Sequence, residues 1–406
     1  MTSGGRFGFT ALRRTVAALP SGILVLGFGS LLMDTSSELV HSLLPIFMTT
    51  ALGASVITVG IIEGIAEATA AVTKVFSGVL SDHWRKRKPL VVFGYALAAI
   101  TKPIFPLATS LGWVFAARFI DRVGKGIRGA PRDALIADIT PAPLRGAAYG
   151  LRQSLDSIGA VLGPLLAVVL MIAFANNFKA VLWVAVIPAA MAVALLAFAV
   201  REPEQRAEGS PTQPRLSFAS ARRLPVRYWR VVAVGAVFTL ARFSEAFLIL
   251  RAQDVGLAIG YVPVVMIAMN AVYALAAYPA GVAADSRSPR GLLVLGLAVL
   301  LAADVVLAAA HAPWQVLAGT LLWGLHMALT QGLFAKLVAD NAPADLRGTA
   351  FGIFNLVTGG ALIVASVLAG VLWERISPAA TFIAGAIFAT CTAVGVLSYR
   401  TGPPRC

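Results

Sequence analysis

Hydrophobic residues along the chain form long stretches that are separated by short polar segments. Most stretches are about 20 residues or longer, which is the length that an α-helix needs to cross the hydrocarbon core of a bilayer. The pattern therefore predicts an all-α, polytopic membrane protein with twelve membrane-spanning helices. The predicted spans cover residues 21–46, 55–80, 89–109, 111–139, 145–174, 179–200, 229–253, 261–284, 291–311, 313–340, 346–373 and 378–399.

The fourth predicted span differs from the others because it carries many charges. An ionisable side chain near the bilayer centre costs about 2.5–3.5 kcal/mol on insertion scales, so charges retained there face a protein interior or a water-filled path. We therefore expect the functional site to involve this segment. Its seven charged residues between Trp113 and Asp138 are Arg118, Asp121, Arg122, Lys125, Arg128, Arg132 and Asp133.

Composition supports a membrane protein, since 58% of the residues are hydrophobic, 13% are charged and the mean hydropathy is +0.83. The net charge of +14 would suit nucleic-acid binding, but its distribution favours another interpretation. Basic residues cluster in segments that follow even-numbered spans, at 85–88 and 201–230. The segments that follow odd-numbered spans hold little beyond Lys179 and Arg375. By the positive-inside rule, both termini are expected in the cytoplasm of a bacterial-type inner membrane, with no nucleic-acid partner.

The long polar segment at 201–228 divides the predicted spans into six and six. We therefore predict an N-terminal six-helix bundle at 1–200, a cytoplasmic linker at 201–228 and a C-terminal six-helix bundle at 229–406. The halves are related, because LIAD at 135–138 recurs as LVAD at 337–340, an offset of 340 − 138 = 202. Parallel duplication of this kind places a binding site at the midplane between the halves.

The segment between the second and third spans carries Gly78, Asp82, Arg85, Lys86 and Arg87. It resembles the first cytoplasmic-loop motif of the major facilitator superfamily, Gly-x-x-x-Asp-Arg-x-Gly-Arg-Arg. The chain departs from it at His83 and Arg85, where the family usually has Arg and Gly. The segment GAVLGP at 159–164 resembles a motif of exporters that exchange substrate for protons. The resemblance implies two pseudo-symmetric six-helix bundles and a bacterial efflux-type, proton-antiporter-like transporter.

The loop motif also suggests residues that control access from the cytoplasm. Asp82 is at the cytoplasmic end of the second span, where a carboxylate can cap a helix or pair with an arginine. We expect it to hold the cytoplasmic side shut by acting on the region near Arg347. The predicted gating residues are Gly78, Asp82, Arg85, Arg87, Arg128, Arg145, Asp285 and Arg347.

Four carboxylates within the first two spans are candidates for proton coupling: Asp34, Glu38, Glu63 and Glu67. At about 1.5 Å per residue, Asp34 lies roughly 20 Å from the cytoplasmic end of its span. Glu63 and Glu67 are four residues apart and so share one helical face. The alternatives for all four are an interhelical salt bridge and direct contact with the ligand. His41 is expected near the outer interface and is assigned no role.

Charges and polar groups deep in the other spans are candidates for substrate binding. Arg118 and Arg122 require either a carboxylate from the first two spans or an anionic ligand. Asp121 and Lys125, spaced i,i+4, could neutralise each other, and Arg242 with Glu245 could form a static pair. The predicted substrate-binding residues are Arg118, Asp121, Arg122, Arg242, Glu245, Asn270, Tyr273 and Asn355.

These residues predict a secondary active transporter that moves a small solute by alternating access, with proton-coupled efflux as the leading hypothesis. Uptake of a metal chelate such as a siderophore, or of an anionic metabolite, is an alternative, and a lipid flippase is less favoured. Because the chain has no phosphate-binding loop, nucleophile elbow or metal-ligand spacing, we expect neither an enzyme nor a cofactor other than the proton gradient. The expected partners are the bilayer, the solute and protons, and the chain is expected to be a monomer.

Overall fold

The computed structural model describes residues 19–84, 86–141, 144–200, 218–286, 289–330, 333–343 and 346–398, and the regular structure in them is helical. The first half contains α1 (Ser21–Ile46), α2 (Val56–Trp84), α3 (Lys88–Thr101), α4 (Ile104–Leu107), α5 (Leu111–Ile139), α6 (Arg145–Ala173), α7 (Phe178–Val184) and α8 (Val186–Ala199). The second half contains α9 (Val226–Leu240), α10 (Ala246–Asp254), α11 (Val264–Ser286), α12 (Pro289–Ala308), α13 (Pro313–Thr330), α14 (Leu333–Asn341), α15 (Arg347–Arg375) and α16 (Pro378–Ser398).

These helices give twelve passes when α3 with α4, α7 with α8, α9 with α10, and α13 with α14 are each counted as one interrupted span. Nine helical stretches of the described chain are long and apolar enough to cross a membrane on composition alone. The predicted spans missing from that set are 111–139, 229–253 and 313–340. The first is too charged, the second is interrupted near 241–245, and the third passes through residues 331–332, which are not described.

Each half is a bundle of six passes, as predicted. In the first half α1 packs against α6 and α8, and α5 lies between α2 and α3. In the second, α12 lies between α13 and α16. Gly94 and Gly124 allow α3 and α5 to approach closely, because a Cβ at Gly94 would lie 2.7 Å from the Gly124 carbonyl oxygen.

The boundaries predicted between the bundles remain a prediction. Residues 201–217 of the expected linker lie outside the described residues, a 3₁₀ turn occupies Phe218–Arg223, and α9 begins at Val226.

The two bundles contact each other through α2 with α15, α6 with α11, and α1 with α10. We call the side at which α2 ends and α15 begins the basic face, because Lys86 and Arg87 lie there. The closest approaches of α2 and α15 lie toward the opposite face: a Cβ at Gly60 would lie 2.3 Å from the Ser366 carbonyl oxygen, and one at Gly370 would lie 2.7 Å from Ile57 Cα. The bundles are therefore held together at the face opposite the basic one.

Candidate functional site

A central cavity of about 350 Å³ lies between the two bundles. Charged side chains from the first bundle form one wall, and the interrupted span between α9 and α10 forms the other. Its lining residues are Glu38, His41, Glu67, Arg122, Lys125, Phe238, Thr239, Arg242, Phe243, Ser244, Glu245, Asn270 and Leu362.

A second cavity, of about 490 Å³, continues from the central one toward the basic face. Glu38, Glu67 and Lys125 line both. Lys74 and Gln153, which line the second cavity nearer the basic face, are exposed to solvent. A water-accessible path therefore leads from the basic face to the middle of the molecule, while the opposite side is closed by α2 and α15.

Arg118 is held inside the first bundle by two carboxylates of α2. Its Nη2 donates to Glu63 Oε2 at 2.6 Å and its Nε donates to Glu63 Oε1 at 3.1 Å. Arg118 is 2% exposed and Glu63 is fully buried, so this is a desolvated bidentate pair. Glu67 Oε1 lies 3.6 Å from Arg118 Nη2 and 3.1 Å from Arg122 Nη2. The arginines thus find their counter-charges on α2, and Arg118 lines neither cavity.

His41 links the cavity to this buried pair. Its Nδ1 lies 3.5 Å from Glu38 Oε2, and its Nε2 lies 3.6 Å from Glu63 Oε2. Because Glu38 lines both cavities, the imidazole stands between a water-accessible carboxylate and a buried one. The assignment of no role to His41 overlooked this position. The i,i+3 spacing of Glu38 and His41 was the available signal, since it puts both on one face of α1.

Asp121 pairs with Lys102 and not with Lys125, so the possible i,i+4 pair is not formed. Lys102 Nζ donates to Asp121 Oδ1 at 2.8 Å and to Ser37 Oγ at 3.0 Å. Both charges of the pair are almost fully buried, and Asp121 lines neither cavity. The close packing of α3 against α5 brings Lys102 to Asp121, which leaves Lys125 to face the cavity.

A second group of charges lies in the first bundle toward the basic face. Arg152 Nη1 lies 3.0 Å from Asp156 Oδ2, and Arg132 lies 4.0 Å from the same oxygen and 3.6 Å from Asp133 Oδ1. Asp34 lines the second cavity beside this group and has no ion pair within 4 Å among the described residues. Asp34 is therefore accessible from the basic face without a fixed counter-charge.

The glycines of the 159–164 motif serve helix packing. A Cβ at Gly159 would lie 2.7 Å from the Leu31 carbonyl oxygen, and one at Gly163 would lie 2.7 Å from the Thr35 carbonyl oxygen. The motif lets the backbone of α6 approach α1 closely and so helps to position Asp34 and Glu38 of α1.

The interruption between α9 and α10 places two charges at the central cavity. Arg242 lies with its guanidinium 5.7 Å from the centre of the Phe238 ring, and its Nε has no hydrogen-bond partner. No ion pair within 4 Å joins Arg242 to Glu245 in the described chain, so the static pair considered above is not formed. Both side chains are left to face the cavity.

The other predicted substrate contacts are placed less uniformly. Asn270 lines both cavities and donates from Nδ2 to the Ala160 carbonyl oxygen at 3.0 Å, and Tyr273 lines the second cavity. Asn355 lines neither. Within the described residues no group of three His, Cys, Asp or Glu side chains has the arrangement of a metal site.

Several predicted gating residues hold the basic face of the first bundle together. Arg87 donates to Asp138 Oδ2 at 3.1 Å and to Ser81 Oγ at 2.6 Å. Arg128 lies 4.6 Å from the centre of the Tyr95 ring. Arg145 donates to the Thr140 carbonyl oxygen at 3.4 Å, and Gly78 faces Ala130. The side chains of the other predicted gating residues lie outside the described residues: Asp82, Arg85, Asp285 and Arg347.

Comparison with known proteins gives consistent matches along the whole chain. The family model described as Major Facilitator Superfamily matches residues 26–262 and 243–405. The chain is 32% identical over 380 residues to an uncharacterized MFS-type transporter of Methanocaldococcus jannaschii, covering 91% of this chain and 93% of the relative. It is 26% identical over 357 residues to the inner membrane transport protein YajR of Escherichia coli, covering 83% of this chain and 74% of that protein.

Solved structures show the same fold at much lower identity. A POT family transporter in complex with 5-aminolevulinic acid superimposes with a TM-score of 0.75 at 14% identity, covering 93% of this chain and 95% of that one.

Proposed function

Because the chain belongs to the Major Facilitator Superfamily and is a membrane transporter rather than an enzyme, we propose that it exports a small solute in exchange for protons by alternating access. The observation that carries this proposal is the charged cavity between the bundles, which is connected to the basic face and closed at the other. We place the basic face in the cytoplasm of a bacterial-type inner membrane, because the positive charges lie there.

Alternating access requires the closed side to open while the other closes. The contact of α2 with α15 suits such a movement, because glycines bring the two backbones together and the Ile57 backbone N donates to Glu374 Oε1 at 2.9 Å. Small residues at such an interface let membrane helices pack closely. For the reverse state, we propose that Asp82 locks the basic face, as its motif position suggests.

Proton coupling is proposed to use the carboxylates that water can reach from the basic face. Glu38 and Glu67 line both cavities, and Glu38 communicates through His41 with the buried Glu63–Arg118 pair. A proton arriving at Glu38 removes the charge that faces His41, which alters the balance of charges around Glu63. Such a change couples proton binding to the packing of α1, α2 and α5, the helices that carry these groups.

The test is transport in inverted membrane vesicles that contain a pH-sensitive dye, with a panel of small solutes. The wild type is expected to move protons when a transported solute is added. Asp34→Asn and Glu38→Gln are each expected to abolish that proton movement while retaining solute exchange, because an amide keeps the shape of the carboxyl but carries no proton. Arg375→Gln, at an exposed position of the opposite face, is the control.

Uphill solute transport at the wild-type rate in both carboxylate variants would reject the coupling assignment. In inverted vesicles, export in exchange for protons carries solute from the medium into the lumen and protons out of it. Acidification of the lumen when solute is added to the medium would therefore reject this exchange and favour proton-coupled uptake.

A further inference from the structure

Three charged side chains line the central cavity without a direct ion pair. Lys125 and Arg242 have no carboxylate within 4 Å, and Glu245 has no basic group within that distance, among the described residues. The other charges of the cavity are matched, since Arg122 pairs with Glu67 and His41 lies beside Glu38. The unmatched set is thus two cations and one anion.

These three groups are stable in the present form because the cavity is connected to water. During transport the cavity must close over its contents before the other side opens, and closure removes that water. A buried charge without a close partner is unfavourable, so the closed cavity favours contents that pair directly with these groups. The chemistry of the unmatched groups therefore predicts the chemistry of the solute.

We propose that the transported solute is a small amphoteric molecule, with an anionic group that binds Arg242 and Lys125 and a cationic nitrogen that binds Glu245. This inference rests on the proposed function, whose substrate class it specifies. The guanidinium of Arg242 presents a planar set of donors suited to a carboxylate or phosphate. Its Nε is buried and has no hydrogen-bond partner.

The rest of the cavity limits the size of the solute and the nature of its middle part. The volume of about 350 Å³ is at the small end of the range for ligand pockets. Phe238 and Phe243 line the same wall as Arg242 and Glu245. A short hydrocarbon segment between the two charged ends would contact these rings, so a compact ω-amino acid fits better than a large polar solute.

Binding by the purified protein in lipid nanodiscs tests this inference without a gradient. The probes are unbranched ω-amino acids from glycine to 6-aminohexanoate, each with its matched carboxylate and matched amine, titrated against intrinsic tryptophan fluorescence. At the preferred length the amphoteric probe is expected to bind at least about tenfold more tightly than either singly charged one, because each lost charged contact costs that much.

The variants assign each end of the probe. Glu245→Gln is expected to remove the preference for the amphoteric probe over its matched carboxylate. Arg242→Gln is expected to remove the preference for the amphoteric probe over its matched amine. Arg375→Gln is the control and is expected to retain both preferences. The inference is overturned in favour of a simple anion if each carboxylate binds as tightly as the amphoteric probe of the same length and Glu245→Gln changes neither affinity. Absence of saturable binding across the whole series also overturns it.

Failure of the inference is distinguishable from failure of the proposed function. If the amphoteric probe binds as expected but neither moves nor releases protons in the vesicle assay, the transport proposal fails and the binding chemistry stands. If a simple carboxylate is carried in exchange for protons, the transport proposal stands and the amphoteric assignment fails.

Discussion

Gly60 marks the point where α2 and α15 come closest, and replacing it by alanine is a direct test of alternating access. An added Cβ would lie 2.3 Å from the Ser366 carbonyl oxygen and 3.1 Å from its carbonyl carbon, whereas ordinary contacts begin at 3.4 Å. The obstacle is backbone, so no change of side-chain rotamer can relieve it. The two helices must move apart by about 1 Å at this position.

The cost of that separation falls on one state only. Overpacking by a methyl group costs about 1–3 kcal/mol. Because the contact exists only while the face opposite the basic one is closed, the same energy favours the alternative state. A shift of this size corresponds to a change of about 5- to 150-fold in the ratio of the two states.

The assay is labelling of a cysteine at Thr239, which lines the central cavity, by an impermeant reagent added at the face opposite the basic one. Cys391 and Cys406 are first replaced by serine. Gly60→Ala should label faster than the parent protein. Gly360→Ala is the matched control on α15, because an added Cβ there meets no atom within 4 Å. Equal labelling of Gly60→Ala and Gly360→Ala would refute the reasoning.

Three further predictions concern stability and topology. Lys102→Met should lower the free energy of unfolding by about 3–5 kcal/mol, and adding Asp121→Leu should restore much of that stability. Thermal unfolding measures both changes. A double variant no more stable than Lys102→Met would contradict a simple buried pair. A cysteine at Lys86 should react only from the cytoplasm and one at Lys179 only from outside; the reverse result would overturn the orientation. Gly324→Ala places a Cβ 2.4 Å from a backbone oxygen within one bundle, so it should lower the melting temperature without changing cavity labelling.

The sequence predicted the twelve helical passes well because length and hydrophobicity are local properties. It did not predict the interruption of the seventh span at 241–245, where Arg242 and Glu245 leave the helix and face the cavity. A hydrophobic window averages over such a break. The break depends on the neighbouring helices, which satisfy the backbone groups that the lost helical turn leaves free. The backbone N of Ser244, for example, donates to Ser366 Oγ of α15 at 3.3 Å.

The sequence identified the charged segment but not how its charges pair. Spacing along one helix identifies neighbours such as Asp121 and Lys125, yet the actual partner of Asp121 is Lys102 on another helix. Partners across helices depend on how each helix is rotated about its axis, which one sequence does not reveal. The same reason explains why His41 was assigned no role, since its position between Glu38 and Glu63 requires α1 and α2 to pack as they do.

The charged helix α5 also has a consequence for biosynthesis. It is not among the stretches of the described chain that are apolar enough to enter a membrane by themselves. The residues that neutralise it, Glu63 and Lys102, come earlier in the chain and are therefore made before Arg118 and Asp121. We expect the ribosome-bound chain to hold α2 and α3 beside the insertion machinery until α5 emerges, so that these spans leave it as one assembled unit.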